Sequence, residues 1–501
     1  MFSSRLPLLL VLPLAACPGG GNDTEATSTG SSSADTTSGD PTTGATTTTT
    51  TTSDEPTTAT PTSTPPTTGD TDTATATTSG TSDTTTADTT AGDDTDTGPQ
   101  PLVPTVLMPR SGITVDELMV LANDQDPQSM AVAVYYQEKR QIPPENILTL
   151  SFAPSDTLSP DAFNGLKAQI DAAAGTKIQA FAVAWTNPHK VDCQSLVTAL
   201  ALGVDKKFCS TQGNPCGGSA ASGYYDSPSL APFTDLGIRP AMHLAGVTAE
   251  DVFKVIDRGV ASDSTYPTGK GYFVRTTDEA RSVRWPQMQG EPMAWAQEHG
   301  ITIEYIDNSM NLGSNVIENK TDVLFYLTGL ADVPQIATNT YLPGAIADHL
   351  TSTGGQIPQS GQMSIVRWLE AGATASYGTA FEPCNYTTKF PNTQALLPHY
   401  YRGETVIEAY WKSVDWPGEG VFVGEPLARP WGGAIVNFEA PMLTIETYQL
   451  VPNKLYNLES GDSADGPWAL VTADITIPVH TRAKITVPDA TAAFYRVVEK
   501  L

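Results

Sequence analysis

The stretch "LMVLANDQDPQSMAVAVYYQEKRQIPPENILTLSF", residues 118–152, decides the fold. It opens with a short apolar run, 118–123, which is typical of a buried strand. A polar turn follows, and apolar residues then recur at helical spacing over 130–140. Two prolines end that helix, and 146–152 is apolar again. This order predicts a strand, a helix and a second strand that lies parallel to the first.

The same alternation continues along the chain. Apolar runs predict further strands at 178–185, 240–245, 271–276, 301–306, 322–329, 373–378 and 420–426. Amphipathic segments predict helices at 160–174, 194–202, 249–261, 279–298, 362–371 and 403–412. We therefore expect an α/β domain over 101–432, in which a mostly parallel sheet is flanked by helices.

The last part of the chain, 434–501, has a different pattern. Apolar and polar residues alternate with a period of two, a turn falls at "SGDSADG" (460–466), and no helical spacing is present. This pattern predicts a small antiparallel β-module. The stretch "YNLESGDSADGPWALV" is similar to the β-sandwich modules that are appended to many secreted bacterial proteins, where they serve in attachment or packing.

The first 17 residues, "MFSSRLPLLLVLPLAAC", have the form of a secretory signal. One basic residue, Arg5, precedes an apolar run that is too short to span a bilayer as a mature helix. The closing "LAAC" (14–17) resembles the lipobox of bacterial lipoproteins, which implies that Cys17 is acylated and becomes the mature N-terminus. Position 18 is Pro rather than Asp, and by the same resemblance we expect an extracytoplasmic protein that is lipid-anchored to the outer membrane.

Residues 18–98 consist largely of Thr, Ser, Asp, Gly and Pro, with 13 acidic residues and neither Lys nor Arg. Such a segment has too little apolar surface to offset the entropy of ordering, so we expect a disordered linker. As a flexible coil it would average on the order of 50 Å from end to end, enough to hold a folded domain clear of a membrane.

The net charge of the whole chain is −28, and the part outside the linker is acidic as well. An acidic surface repels phosphate backbones, so nucleic acid is not expected as a partner. Contact with a membrane is expected through the lipid anchor, because an acidic surface has no attraction to anionic lipid headgroups.

Four cysteines follow the anchor: Cys193, Cys209, Cys216 and Cys384. Export to an oxidising compartment favours disulfides, and four cysteines allow three connectivities. Cys209 and Cys216 bracket the turn-rich "STQGNP", so we expect them to pair locally. Cys193 and Cys384 each follow a predicted parallel strand, which places them at the same edge of the sheet and predicts the second pair.

Large parts of 110–432 resemble an uncharacterised family of secreted bacterial proteins, known only as conserved hypothetical and associated with exosortase-type sorting. The resemblance lies in "DELMVLANDQDPQSMAVAVYYQEKRQIPPENILTL" (116–150), "DCQSLVTALALG" (192–203), "GATASYGTAFEPCNYTTKFPN" (372–392) and "GETVIEAYWKSVDWPGEGVFVGEPLARPW" (403–431). It implies no known activity.

A weaker resemblance is to gingipain-type, caspase-like peptidases. "VGEPLARPW" (423–431) is similar to their "GDP" strand end, and "MSIVRWLEAGATASYGT" (363–379) to the helix and strand after their catalytic cysteine. The family carries a His and a Cys at the ends of neighbouring strands. Here the first of these strands ends "YLTGLADV", and "IADHLTSTGG" before the helix contains His349 but no thiol. A displaced dyad of His349 and Cys384 remains as an alternative.

The turn after the first strand contains Asn123, Asp124 and Asp126, at a strand end where open α/β sheets place ligands. Their oxygens suit Ca²⁺ or a polar substrate. The simpler interpretation, which we favour, is a solvated turn in which Asp126 or Ser129 caps the next helix. No spacing of His, Cys and acidic residues matches a structural metal site, so neither metal nor cofactor is expected.

Two classes of function follow. The first is a non-catalytic binding or assembly protein on a degenerate caspase-like scaffold, with an envelope protein or polysaccharide as its partner. The alternative is a surface hydrolase, possibly a cysteine peptidase that uses His349 and Cys384.

Overall fold

The structure is a computed structural model that describes residues 103–210, 216–295 and 300–500. The predicted signal peptide, Cys17 and the predicted linker 18–98 lie outside the described residues. No helix in the described ranges has the length and apolar character needed to cross a membrane.

The described residues form strands and helices that alternate over most of the chain. The strands are β1 (Thr105–Leu107), β2 (Leu118–Asn123), β3 (Ile147–Leu150), β4 (Thr157–Leu158), β5 (Ala180–Val183), β6 (Lys190–Val191), β7 (Gln194–Ser195), β8 (Ala241–His243), β9 (Lys270–Arg275), β10 (Thr302–Asp307), β11 (Val323–Gly329), β12 (Tyr341–Leu350), β13 (Ala375–Thr379), β14 (Gly420–Gly424), β15 (Ala434–Glu439), β16 (Met442–Thr447), β17 (Tyr456–Gly461), β18 (Ala469–Ile475), β19 (Ala483–Val487) and β20 (Phe494–Glu499). The helices are α1 (Pro127–Arg140), α2 (Pro160–Ala174), α3 (Leu196–Leu202), α4 (Pro232–Leu236), α5 (Ala249–Ser262), α6 (Trp285–Met288), α7 (Glu291–Ala294), α8 (Val366–Ala371), α9 (Thr393–Tyr401) and α10 (Val406–Ser413).

The central sheet has the strand order β10-β9-β11-β12-β13-β14-β8-β5-β2-β3. Strands pair in parallel from β10 to β13, and likewise from β8 to β3. Between these two sets, β14 runs antiparallel to β13 over five residue pairs, from Ala375–Gly424 to Thr379–Gly420. The sheet is therefore mixed, and the expectation of a mostly parallel sheet is wrong. An apolar run buried on both faces looks the same in either direction, so the sequence of β14 does not reveal its orientation.

One long strand of the sheet, β12, was missed by the sequence pattern. Pro343 and Gly344 interrupt its first half, and the polar pair Asp348–His349 lies near its end. Both polar residues are fully buried, so the strand is covered on both sides although its sequence is not uniformly apolar. The helices pack on the sheet as expected, and every residue of α10 is buried.

The C-terminal module contains two small sheets, β15-β16-β19 and β1-β20-β17-β18, around an apolar core of its own. Leu443, Leu458 and Val497 are buried in that core. Strand β1 comes from the start of the described chain and pairs in parallel with β20. The module thus includes a strand from outside 434–501, which is too short to show a periodic pattern.

Candidate functional site

The predicted dyad residue His349 lies in the core at the end of β12, beside Thr328 of β11. Its Nδ1 accepts a hydrogen bond from Trp368 Nε1 at 2.9 Å. Because indole nitrogen is only a donor, Nδ1 carries the lone pair and Nε2 carries the ring proton. Burial, together with the charge of Arg284, lowers the pKa of His349 to about 3. The neutral ring is therefore held in the interior.

A buried ion pair lies next to it. Asp348 Oδ1 accepts from Arg284 Nη2 at 2.5 Å, and the two side chains are 0% and 1% exposed. Arg284 also donates to the carbonyl of Thr328 at 2.9 Å. Burial raises the pKa of Asp348 above its ordinary value, and Arg284 opposes that shift. The pair joins the segment before α6 to strands β11 and β12, which is a structural role.

The structure pairs Cys193 with Cys209 and Cys216 with Cys384, at Cα–Cα distances of 5.6 and 5.2 Å. All four take part in disulfides as expected, but the predicted pairs Cys193–Cys384 and Cys209–Cys216 are wrong. Cys384, the nucleophile of the alternative dyad, is thus held in a disulfide, and a disulfide sulfur is not a thiolate.

The physical reason for the observed pairing is a fold-back around α3. The buried side chain of Gln194 donates to the carbonyl of Gly203 at 3.1 Å and accepts from the backbone N of Asp205 at 2.8 Å. These two bonds bring the segment after α3 back against the segment before it, and Cys209 meets Cys193. The spacing in the sequence does not encode this return.

A polar cluster includes Ser210, the residue that follows Cys209. Lys389 Nζ is 2.7 Å from Ser210 Oγ and 2.9 Å from Glu419 Oε1, and Ser210 Oγ is 2.7 Å from the same carboxylate oxygen. Lys389 and Glu419 are almost fully buried. This arrangement joins three segments of the chain through one carboxylate oxygen. Sequence reasoning missed it because its members are far apart in the chain.

The predicted ligand residues after β2 have structural partners. Asn123 is buried, accepts from the backbone N of Phe152 and donates to its carbonyl at 2.9 Å. Asp126 accepts from the backbone N of Gln128 at 3.0 Å and so caps α1, as the simpler interpretation predicted. Asp124 is exposed. In residues 103–210, 216–295 and 300–500, no group of three or more His, Cys, Asp or Glu is placed to hold a metal ion.

A second buried charge cluster surrounds Glu404. Its two carboxylate oxygens are 2.6 Å from His399 Nδ1 and 2.6 Å from Lys412 Nζ, and Arg402 is 3.2 Å away. Burial acts to raise the pKa of Glu404, but His399, Lys412 and Arg402 together outweigh it and hold the pKa at about 2. The carboxylate is thus stabilised in its charged form.

Two cavities are candidates for ligand binding. One, of about 430 Å³, is largely apolar and is lined by Trp295, Pro398 and Pro478 among others. The other, of about 630 Å³, lies where the α/β domain meets the β-module and includes Arg429 and Gln449. Both volumes are within the range that small ligands or short peptide segments fill.

No family model matches the sequence, and no curated protein is similar to it. The resemblance to the uncharacterised secreted family therefore stays a prediction. Two solved structures are similar in their general arrangement. One, described as the structure of a protease, has a TM-score of 0.36 and 11% identity, covering 77% of this chain and 98% of its own. The other, the Arg-specific cysteine proteinase gingipain R, has a TM-score of 0.32 and 10% identity, covering 78% and 99%. Both are described as proteases, and at these TM-scores no assignment of activity follows.

Proposed function

We propose that this protein is a lipid-anchored, extracytoplasmic binding or assembly protein whose folded part has no cysteine-peptidase activity. Its anchor is Cys17, its linker is 18–98, and its partner is a component of the cell envelope. The predicted signal and lipobox support the location, and two disulfides are compatible with an oxidising compartment.

One observation carries the non-catalytic assignment. Every cysteine of the described residues is in a disulfide, and the candidate base His349 is held by Trp368 inside the core. A cysteine peptidase needs a thiolate within reach of a base. Within the described ranges neither member of that pair is free, which argues against a cysteine peptidase that uses His349 and Cys384.

The test is thiol chemistry on the native protein. Iodoacetamide is added to the exported, anchored protein before denaturation, and casein hydrolysis is measured in parallel. We expect no alkylation at Cys384 and no hydrolysis. Rapid alkylation of Cys384, together with casein cleavage that iodoacetamide abolishes, would overturn the proposal.

The anchor is tested separately with a radiolabelled fatty acid. We expect label in the wild type and in a Cys384→Ser control, and none in Cys17→Ser. Equal labelling of wild type and Cys17→Ser, or a wild type that stays out of the membrane fraction, contradicts the anchored location.

A further inference from the structure

The cavity of about 630 Å³ between the α/β domain and the β-module, here named the junction cavity, is lined by polar groups from four parts of the chain. These are the connecting segment 108–112, the turn at Asp263 and Ser264, the segment after β14 with Arg429, Gly432 and Gly433, and Gln449 of the module. A site assembled from both parts of the protein is a typical place for a ligand.

The Arg429 side chain is one of the groups that line the junction cavity. Its Nη2 donates to Ser111 Oγ, while its buried Nε has no hydrogen-bond partner in the part of the chain that the structure describes. Among the described residues no carboxylate lies within salt-bridge distance of this guanidinium. The nearby acid Asp263 accepts from the backbone N of Arg429 at 3.0 Å, and its side chain is in an ion pair with Arg140. A guanidinium in this position has an unmet requirement for an acceptor.

Gln449, in contrast, has an acceptor atom that requires a hydrogen-bond donor. The residue is 7% exposed, and its Nε2 donates to Ser111 Oγ at 2.7 Å. Its buried Oε1 accepts no hydrogen bond from any residue that the structure describes. Ser111 Oγ accepts from both Arg429 and Gln449, so its own proton is left to donate. The lining of the junction cavity thus includes two donor side chains, Arg429 and Ser111, and one buried acceptor, Gln449 Oε1.

The backbone is adapted to the Arg429 side chain. A Cβ on Gly432 would lie 2.6 Å from Arg429 Nε, so any larger residue here would require the guanidinium to shift. Gly433 has a φ of 76°, in the region that favours glycine. The two glycines therefore let the chain turn closely around the arginine.

We propose that the junction cavity binds the free C-terminal carboxylate of a peptide. The carboxylate accepts from Arg429 and Ser111, and a peptide N–H close to the chain end donates to Gln449 Oε1. Residues 99–501 carry 42 acidic and 26 basic residues, an excess that disfavours polyanions and so favours a ligand with a single carboxylate over an acidic polysaccharide. This inference rests on the proposed binding function and names the chemistry of its partner.

The experiment uses the full chain and an array of N-terminally immobilised random hexapeptides, each made with a free and with an amidated C-terminus. We expect a subset of peptides to bind, with amidation lowering the affinity at least tenfold. Arg429→Gln should lower binding of the free-acid peptides by a similar factor. The matched control is Arg367→Gln, because Arg367 is exposed and paired with Glu370, and it should leave binding unchanged. If Arg429→Gln folds poorly, Ser111→Ala serves as the second test. It keeps the charge of the cavity and should weaken binding severalfold.

Equal binding of acid and amide forms, or no binding peptide at all, overturns the inference. Binding of D-glucuronate that depends on Arg429, without binding of peptides, overturns the peptide assignment in favour of an acidic sugar. None of these outcomes changes the thiol and casein tests, so failure of the inference and failure of the proposed function are distinguishable.

Discussion

The disulfide pairing gives the sharpest quantitative prediction. Cys216 and Cys384 are 168 residues apart in sequence, whereas Cys193 and Cys209 are 16 apart. In the chain-entropy account, a cross-link destabilises the unfolded state more when its loop is longer. The longer loop corresponds to about 5 kcal/mol and the shorter to about 3 kcal/mol of unfolding free energy. The paired replacement Cys216→Ser/Cys384→Ser should therefore cost about 2 kcal/mol more than Cys193→Ser/Cys209→Ser.

The assay is urea unfolding followed by tryptophan fluorescence, with both double variants and the wild type at equal concentration. Non-reducing peptide mapping of the wild type accompanies it and should recover 193–209 and 216–384 as the linked pairs. A linked 193–384 peptide would refute the structure of this region. A larger loss from the short loop than from the long one would refute the entropic argument.

Three further predictions concern buried polar groups and a helix cap. Asp348→Leu leaves the charge of Arg284 buried without its carboxylate partner, and should lower the unfolding free energy by about 3–5 kcal/mol in the same urea assay. The double variant Asp348→Leu/Arg284→Met removes both charges and should recover most of that loss. Glu404 has a pKa of about 2 in the folded protein against an ordinary 4.5, so its stabilising contribution is complete above pH 4.5 and is lost as the pH falls towards 2. The difference in unfolding free energy between wild type and Glu404→Gln should therefore shrink over that interval. A difference that does not depend on pH would contradict this prediction. Asp126→Ala removes the cap of α1 and should cost about 1 kcal/mol, whereas Asp126→Asn, which can still cap, should cost much less.

Local sequence determined where most strands and helices begin and end. The predicted strand 118–123 is β2 (Leu118–Asn123), and the predicted helix 160–174 is α2 (Pro160–Ala174). Both boundaries follow from neighbours in the chain, such as Ser159 at the N-cap of α2 and Gly175 after its end. The predicted helix 279–298 contains instead α6 and α7, each with a proline in its first turn, which is where proline is tolerated in a helix.

The tertiary structure alone decided which distant residues meet. The antiparallel direction of β14, the addition of β1 to the C-terminal module and the disulfide partners all depend on how the chain returns over long separations. Periodicity and capping are set within a few residues, so a sequence displays them directly. The pairing of Cys384 with Cys216, and the meeting of Arg429 with Ser111 and Gln449, depend on a packing in which all elements compete at once, and no single stretch of the chain carries that information.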